Sequence, residues 1–425
     1  MCGLLLLAGW VLAAPAEAPA DEALKADVQR LVRQLDAPQL ARREEAEAAL
    51  LKLGPRVLDL LPPASDRMPA EVKQRLQRVQ QQLRRQVADS AAAASLITLS
   101  DASMPLGKVL AALEQQSGNR IVDLRKRFGH PLSDPEVKAT FDQTPFWQAL
   151  DRVLDQAGLT VYDYGEQRAI HVVGRGETQL PRSGAACYNG PWRFELTEVT
   201  AQRDLRSADG QSLRLGLEVA WEPRLKPISI KQRLDELRAV DENDDPLTVD
   251  ARKAELEVPV AADATAVKLV LPFRLPPRDV KEIASLRGAL LALLPGKIET
   301  FRFEDLPAAK NVEKRLAGVT VVLDQVQKNN EIWQVRMRVR FDEPEKALES
   351  HRGWIFQNEA YLEAPDGKPI AYEGFETTRQ TGNEVGIAYS FVLDGPPAKH
   401  TFVYKTPGVI VAKTFDYRLK SVRLP

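Results

Sequence analysis

The sequence predicts a multidomain α+β chain: an N-terminal helical hairpin module, a small βαββαββ domain, and two tandem immunoglobulin-like antiparallel β-sandwiches. Three observations predict it. Apolar residues recur at helical spacing in the first part of the chain, where Val28, Leu31, Val32 and Leu35 form one stripe and Ala46, Ala49, Leu50 and Leu53 another. A helix bounded by Pro and Gly then occurs twice, with Pro105 and Pro145 lying 40 positions apart. The second half alternates apolar and polar residues over short runs, the mark of strands with one buried face. At 425 residues the chain exceeds what one core organises, since single cores stop growing beyond roughly 250–300 residues.

The chain opens on an apolar run, Leu4 to Leu12, followed by the small residues Ala14, Ala16 and Ala18. The run is too short to span a bilayer and has the form of a secretory signal peptide over residues 1–18, with cleavage after Ala16 or Ala18. No Lys or Arg precedes it, which departs from the usual pattern, and Cys2 stands before the run, where it cannot serve as a lipoprotein cysteine. The expectation is export to the periplasm or cell envelope, a mature chain beginning near Pro19, and no stable membrane span after cleavage. Only Cys187 would then remain, which leaves no disulfide and no thiolate zinc site.

Residues 21–88 read as helical, with Val72, Leu76, Val79 and Leu83 as a third, narrower stripe. Gly54-Pro55 ends the second helix, because Gly favours the left-handed cap and Pro cannot continue the ladder. The run from Leu31 to Pro55 resembles a HEAT-like helical-repeat unit. One clear unit is too few for a solenoid, so a docked hairpin or a small helical module is expected.

Residues 95–174 form the duplicated segment. Leu96–Leu99 and Val137–Phe141 read as strands. Leu106, Val109, Leu110 and Leu113 share one helix face; Phe146, Ala149, Leu150, Val153, Leu154 and Ala157 share another. Leu159–Tyr164 and Ala169–Val173 close as a hairpin. The pattern from Ser103-Met104-Pro105-Leu106 through Gly118-Asn119-Arg120-Ile121-Val122, then Val137 through Thr144-Pro145-Phe146 to Gly158-Leu159-Thr160-Val161, resembles the secretin and TonB short N-terminal domain. The resemblance covers under a fifth of the chain and rests on hydrophobic spacing. It implies an envelope docking or signalling module without catalytic residues. No secretin or outer-membrane barrel follows in this sequence, so a transport role is not implied.

Residues 175–190, with Gly176, Pro181 and Gly184, read as a linker. Beyond it the sandwiches are expected over 191–308 and 315–425. Phe194–Val199 and Leu213–Pro223 open one copy; Val319–Val326 and Trp333–Pro344 open the other. Thr300-Phe301-Arg302-Phe303 and Thr414-Phe415-Asp416-Tyr417 end them alike, so these aromatics should occupy equivalent strands.

The formal net charge of −1 argues against nucleic acid or an anionic membrane as partner. No phosphate loop, nucleophile elbow or zinc motif is present, and His130, His171, His351 and His400 are scattered. No catalytic residue, metal or cofactor is therefore expected. One stretch stands out: His351, Arg352, Trp354 and Asn358, followed by Glu376, Arg379 and Asn383, with aromatics beside amides and charges that could hold a sugar or peptide. Two other readings stay open. Trp354 and Phe356 can be core residues with the polar groups paired among themselves, or Glu349 and Glu376 can form an acid/base pair. The expected function is a non-enzymatic exported envelope protein, a modular binding or scaffold protein whose partner is another envelope protein or a wall polymer. The alternatives are an accessory docking component of a secretion or uptake complex, and a hydrolase with its site in the second sandwich.

Overall fold

A computed structural model describes residues 18–62, 67–101, 103–162, 168–206, 210–250, 254–261, 263–341, 352–408 and 410–425. The expected leader, apart from Ala18, lies outside the described residues. The chain divides into two compact units, Met1–Gln86 and Val87–Pro425. Among the described residues no helix is long and apolar enough to cross a membrane.

The first unit is helical. It holds α1 (Ala18–Gln34), α2 (Leu40–Leu53) and most of α3 (Ala70–Ala91). The three apolar stripes meet in one core, where Val28, Leu35, Leu50, Val57, Leu76, Val79 and Leu83 are fully buried. Gly54 ends α2 at φ 79°, and Pro55 begins a short 3₁₀ turn. Arg75 on α3 reaches Glu47 on α2 at 2.8 Å and Glu71 at 3.0 Å.

The second unit opens with the duplicated α+β segment. Its elements are β1 (Leu96–Leu99), β2 (Met104–Pro105), α4 (Leu106–Ser117), β3 (Ile121–Asp123), β4 (Glu136–Val137), β5 (Phe141–Pro145), α5 (Phe146–Gln156), β6 (Leu159–Tyr162) and β7 (Ile170–Gly174). Val137–Phe141, expected as one strand, is two short pieces: β4 pairs β2 and β5 pairs β1. Strand β7 lies between β3, parallel, and β6, antiparallel. The repeat is exact in its punctuation. Pro105 and Pro145 precede the two helices with φ near −55°, and Gly118 (φ 69°) and Gly158 (φ 65°) follow them. It also extends to a clamp that spacing alone did not reveal. The Gln116 side chain accepts from the Thr98 amide at 2.9 Å and donates to its carbonyl at 3.0 Å; Gln156 does the same to Lys138 at 2.8 and 3.2 Å.

The remainder is β-rich. Strands β8 (Ala186–Asn189), β9 (Trp192–Arg203), β10 (Gln211–Trp221), β11 (Ser229–Arg233), β12 (Arg238–Asp241), β13 (Glu255–Pro259), β14 (Ala266–Phe273), β15 (Glu282–Pro295) and β16 (Ile298–Phe303) form the first segment. The second has β17 (Lys310–Leu316), β18 (Val319–Asn329), β19 (Ile332–Phe341), β20 (Ala360–Glu363), β21 (Pro369–Ala371), β22 (Gly374–Gln380), β23 (Glu384–Val392), β24 (Thr401–Pro407) and β25 (Ile410–Arg423). One core lies between sheet β14-β10-β9-β8 and a sheet in which β15 carries β12 and β11 on one side and β25 on the other. The other lies between sheet β17-β18-β19-β23-β22 and sheet β16-β24-β20-β21.

The two segments trade their last strands. β16 pairs with β24 and β25 with β15, so the boundaries 191–308 and 315–425 do not delimit the two β bodies. Phe301 and Phe303 fill the second core, opposite Tyr404 and Phe402; Phe415 and Tyr417 fill the first, opposite Leu290 and Gly288. The aromatics do occupy matching strands, each against the penultimate strand of the opposite segment. The local backbone is consistent with the exchange. Pro295-Gly296 and Pro407-Gly408 stand where a two-residue hairpin would turn, and such a turn requires positive φ. Neither Gly296 nor Gly408 has it, so neither step makes such a turn. Tyr417 crosses Gly288 so closely that a Cβ there would lie 2.3 Å from its hydroxyl, which donates to Gln232 Oε1 at 2.9 Å.

Candidate functional site

Of the polar-aromatic stretch, His351 lies outside the described residues, and Arg352 opens a 3₁₀ turn, Arg352–Gln357, that carries Trp354. Trp354 is buried in the second core, edge-on to Phe341 at 5.5 Å. The Asn358 amide donates to Tyr404 Oη at 2.8 Å and Thr406 Oγ1 at 3.0 Å, holding the turn onto β24. Glu376, Arg379 and Asn383 lie exposed on the β22–β23 hairpin. Arg379 Nε is 3.4 Å from Glu384, whose other oxygen is 3.5 Å from Arg338. Asn383 accepts from the Phe341 amide at 3.2 Å through its carbonyl and from Thr381 Oγ1 at 3.3 Å through its side chain. The structure thus brings Glu376, Arg379 and Asn383 onto one edge, sends Trp354 into the packed interior and ties the half-buried Asn358 to β24. They do not converge in one pocket.

The edge has an aromatic ledge that includes Phe356 and residues outside the expected set. β22 ends its sheet, and all its residues except Gly374 are exposed. Phe375, 41% exposed, stacks on Phe356 at 5.4 Å with the rings 12° from parallel. Tyr372 meets Phe375 edge-on at 6.1 Å and lies 5.0 Å from Tyr389. The Tyr389 ring is buried beneath, and burial, with Tyr404 and Tyr372 nearby, pushes its phenol far above the ordinary range. The far half of β22 is guarded against stray pairing by an irregularity between Thr377 and Arg379 and by the charge of Arg379. The half around Phe375 offers an aromatic face beside open backbone, the chemistry that stacks a ring or accepts an added strand.

Two buried ionic clusters, which sequence reasoning missed, join the α+β segment to the first β body. Glu222, fully buried, accepts from the Ser95 amide (2.9 Å), Ser95 Oγ (2.6 Å), Asn119 Nδ2 (2.9 Å) and Arg224 Nε (2.7 Å). Asp151 on α5, also fully buried, accepts from Arg182 Nε (2.8 Å), Arg193 Nε (2.6 Å) and Tyr188 Oη (2.7 Å). Burial alone would raise the Asp151 pKa; the charges of Arg182 and Arg193 outweigh it and hold the carboxyl below its ordinary value. Nearby, Asp155 accepts from the amides of Arg182 (2.8 Å) and Ser183 (2.7 Å), and Trp147 Nε1 donates to the Pro191 carbonyl at 3.1 Å. Residues 175–190, expected as a linker, are therefore drawn into this junction and supply β8. The signal was Arg193: it alternates with the core residues Trp192 and Phe194, so it faces away from the first core, and α5 covers that outer face. Comparison of the chain with family models, with curated proteins and with solved structures yields no match.

Proposed function

We propose that this chain is an exported, non-enzymatic envelope protein that works as a modular binding scaffold. In this reading the helical module is HEAT-like, the α+β segment is akin to the secretin and TonB short N-terminal domain, and the β bodies are immunoglobulin-like sandwiches with exchanged last strands. The observation that carries it is the junction: two fully buried carboxylates, Glu222 and Asp151, are committed to holding modules together. Buried charges joined this way favour a fixed arrangement over a hinged one. The surface such a scaffold would present is the ledge of Phe356 and Phe375 on β22, to an extended segment of an envelope protein or to a wall polymer.

The test is capture by the purified full-length protein of isolated wall material and of photo-crosslinked envelope proteins. Phe375→Ala should weaken capture about 2- to 10-fold, the loss of one aromatic contact of ~0.5–1.5 kcal/mol, with little change in melting temperature. Unchanged capture together with a lowered melting temperature would make the ledge a mere cover for Tyr389. Fractionation of cells expressing the native chain checks export, and a wholly cytoplasmic product removes the envelope reading.

A further inference from the structure

The outer face of the sheet built on β15 carries an arrangement found in none of the sites above. Arg238 on β12 stands directly opposite Arg287 on β15, and Arg287 directly opposite Arg418 on β25. All three are exposed. Lys420, also exposed, lies one row along, opposite Ser285. Like charges placed directly opposite across strands destabilise a sheet. Here three stand in a row, and among the described residues no carboxylate lies within ion-pair reach of Arg287, Arg418 or Lys420. Arg238 donates to the carbonyls of Asp235 and Leu237, and its charge also acts on the Asp235 carboxylate; Arg418 Nε donates to Ser285 Oγ at 3.2 Å. Asp416, in the next row opposite Ala289, is the nearest acid on that face of β25.

The matching sheet of the second body is arranged differently. There Arg302 is paired with Glu363, and Lys405 with Glu359 at 2.9 Å. On that sheet Arg302 and Lys405 are neutralised within the chain; on the first, Arg233 pairs with Asp235 and Glu236, but among the described residues Arg287, Arg418 and Lys420 have no carboxylate partner. The chain as a whole is close to neutral, so the row is a local feature and not the by-product of a basic protein.

We infer that the Arg238–Arg287–Arg418 row is a docking surface for an acidic protein segment, in helical form. The geometry selects this occupant. Neighbouring strands place opposed residues about 4.5–5.5 Å apart, so three arginines span roughly 10 Å in a line. A helix bearing carboxylates at i, i+4 and i+7 repeats at about 5–6 Å and covers the same length. Guanidinium groups pair with carboxylates through two parallel hydrogen bonds, which lysine cannot do. The row is assembled only because β25 has crossed into this sheet, since Arg418 belongs to the second segment.

The probe is a synthetic helical peptide with Glu at i, i+4 and i+7, compared with its Gln counterpart, titrated into the full-length protein by fluorescence anisotropy. The Glu peptide should bind, weakening as salt rises, and the Gln peptide should not. Arg287→Glu should weaken binding by about tenfold or more, because it opposes like charges at the contact. The melting temperature of Arg287→Gln should be unchanged or raised, since it relieves the crowding of like charge. Should Arg287→Glu disturb folding, Arg418→Gln decides, and undiminished peptide binding by that variant overturns the inference. Equal binding of the two peptides overturns it as well. So does binding to vesicles of phosphatidylglycerol and phosphatidylcholine without binding to the Glu peptide.

Discussion

Asp151 shows how a single side chain governs the junction. It sits on the apolar face of α5 with no exposed surface, held by two arginines and a tyrosine. Because its folded pKa lies below the ordinary 3.8, the folded state binds fewer protons than the unfolded state as pH falls through that region. Its contribution is present in full above 3.8 and is lost as pH drops toward the folded value. Asp151→Asn should cost about 3–5 kcal/mol near neutrality, since Arg193 keeps its charge in a buried site. The variant should also lose part of the acid dependence. Urea midpoints measured from about pH 6 to about pH 2 check both, and parallel curves for the two proteins would refute the assignment. The sequence marked α5 as amphipathic but could not reveal this role. Asp151 is one of several polar residues in α5, beside Arg152 and Asp155, and its partners lie 31, 37 and 42 positions away.

At the scale of elements, strand positions were legible and strand partners were not. Alternation tells which face of a strand is buried, not which neighbour it pairs with. Thus Phe301, Phe303, Phe415 and Tyr417 were expected on equivalent strands and fall on matching ones, while the body each enters could not be read from alternation. The candidate site divides the same way. Glu376, Arg379 and Asn383 share an edge because β22 and β23 are adjacent; Trp354 goes inward because its 3₁₀ turn packs it against Phe341. The exchange makes a sharp prediction. Phe415→Ala should cost about 3–5 kcal/mol and increase amide exchange in β9, β10 and β15, while Phe303→Ala should do so in β18, β19 and β24. Exchange mapped by mass spectrometry distinguishes this from the simple tandem, in which each substitution would loosen the strands of its own segment.

For the whole molecule, the exchange means that the first β body is not complete within one contiguous stretch of chain: the strands of the second, β16 to β24, stand between β15 and β25 in the sequence. A chain cut between Leu306 and Pro307 leaves one fragment carrying β16 and another carrying β25, each strand seated in the other fragment's sheet. Co-expressed, the fragments should copurify and melt in a single transition, and each alone should be insoluble, with an open sheet edge. Fragments that separate on a sizing column would show that the exchanged strands hold too weakly to unite the bodies.

Proteolytic trimming gives the same feature a different meaning. A stub lost from the end of most chains is a local injury, because termini fray and contribute little. Here the last strand lies along nearly the whole of β15, from Pro295 opposite Ile410 to Glu282 opposite Arg423. Loss of β25 after a nick near Gly408 would therefore leave the second body's own strands in place and open the sheet opposite Trp192 and Phe194. Strand β25 is thus a wall of the interior, and its loss would be felt two hundred residues upstream, at Trp192, whose ring lies 5.2 Å from that of Phe415.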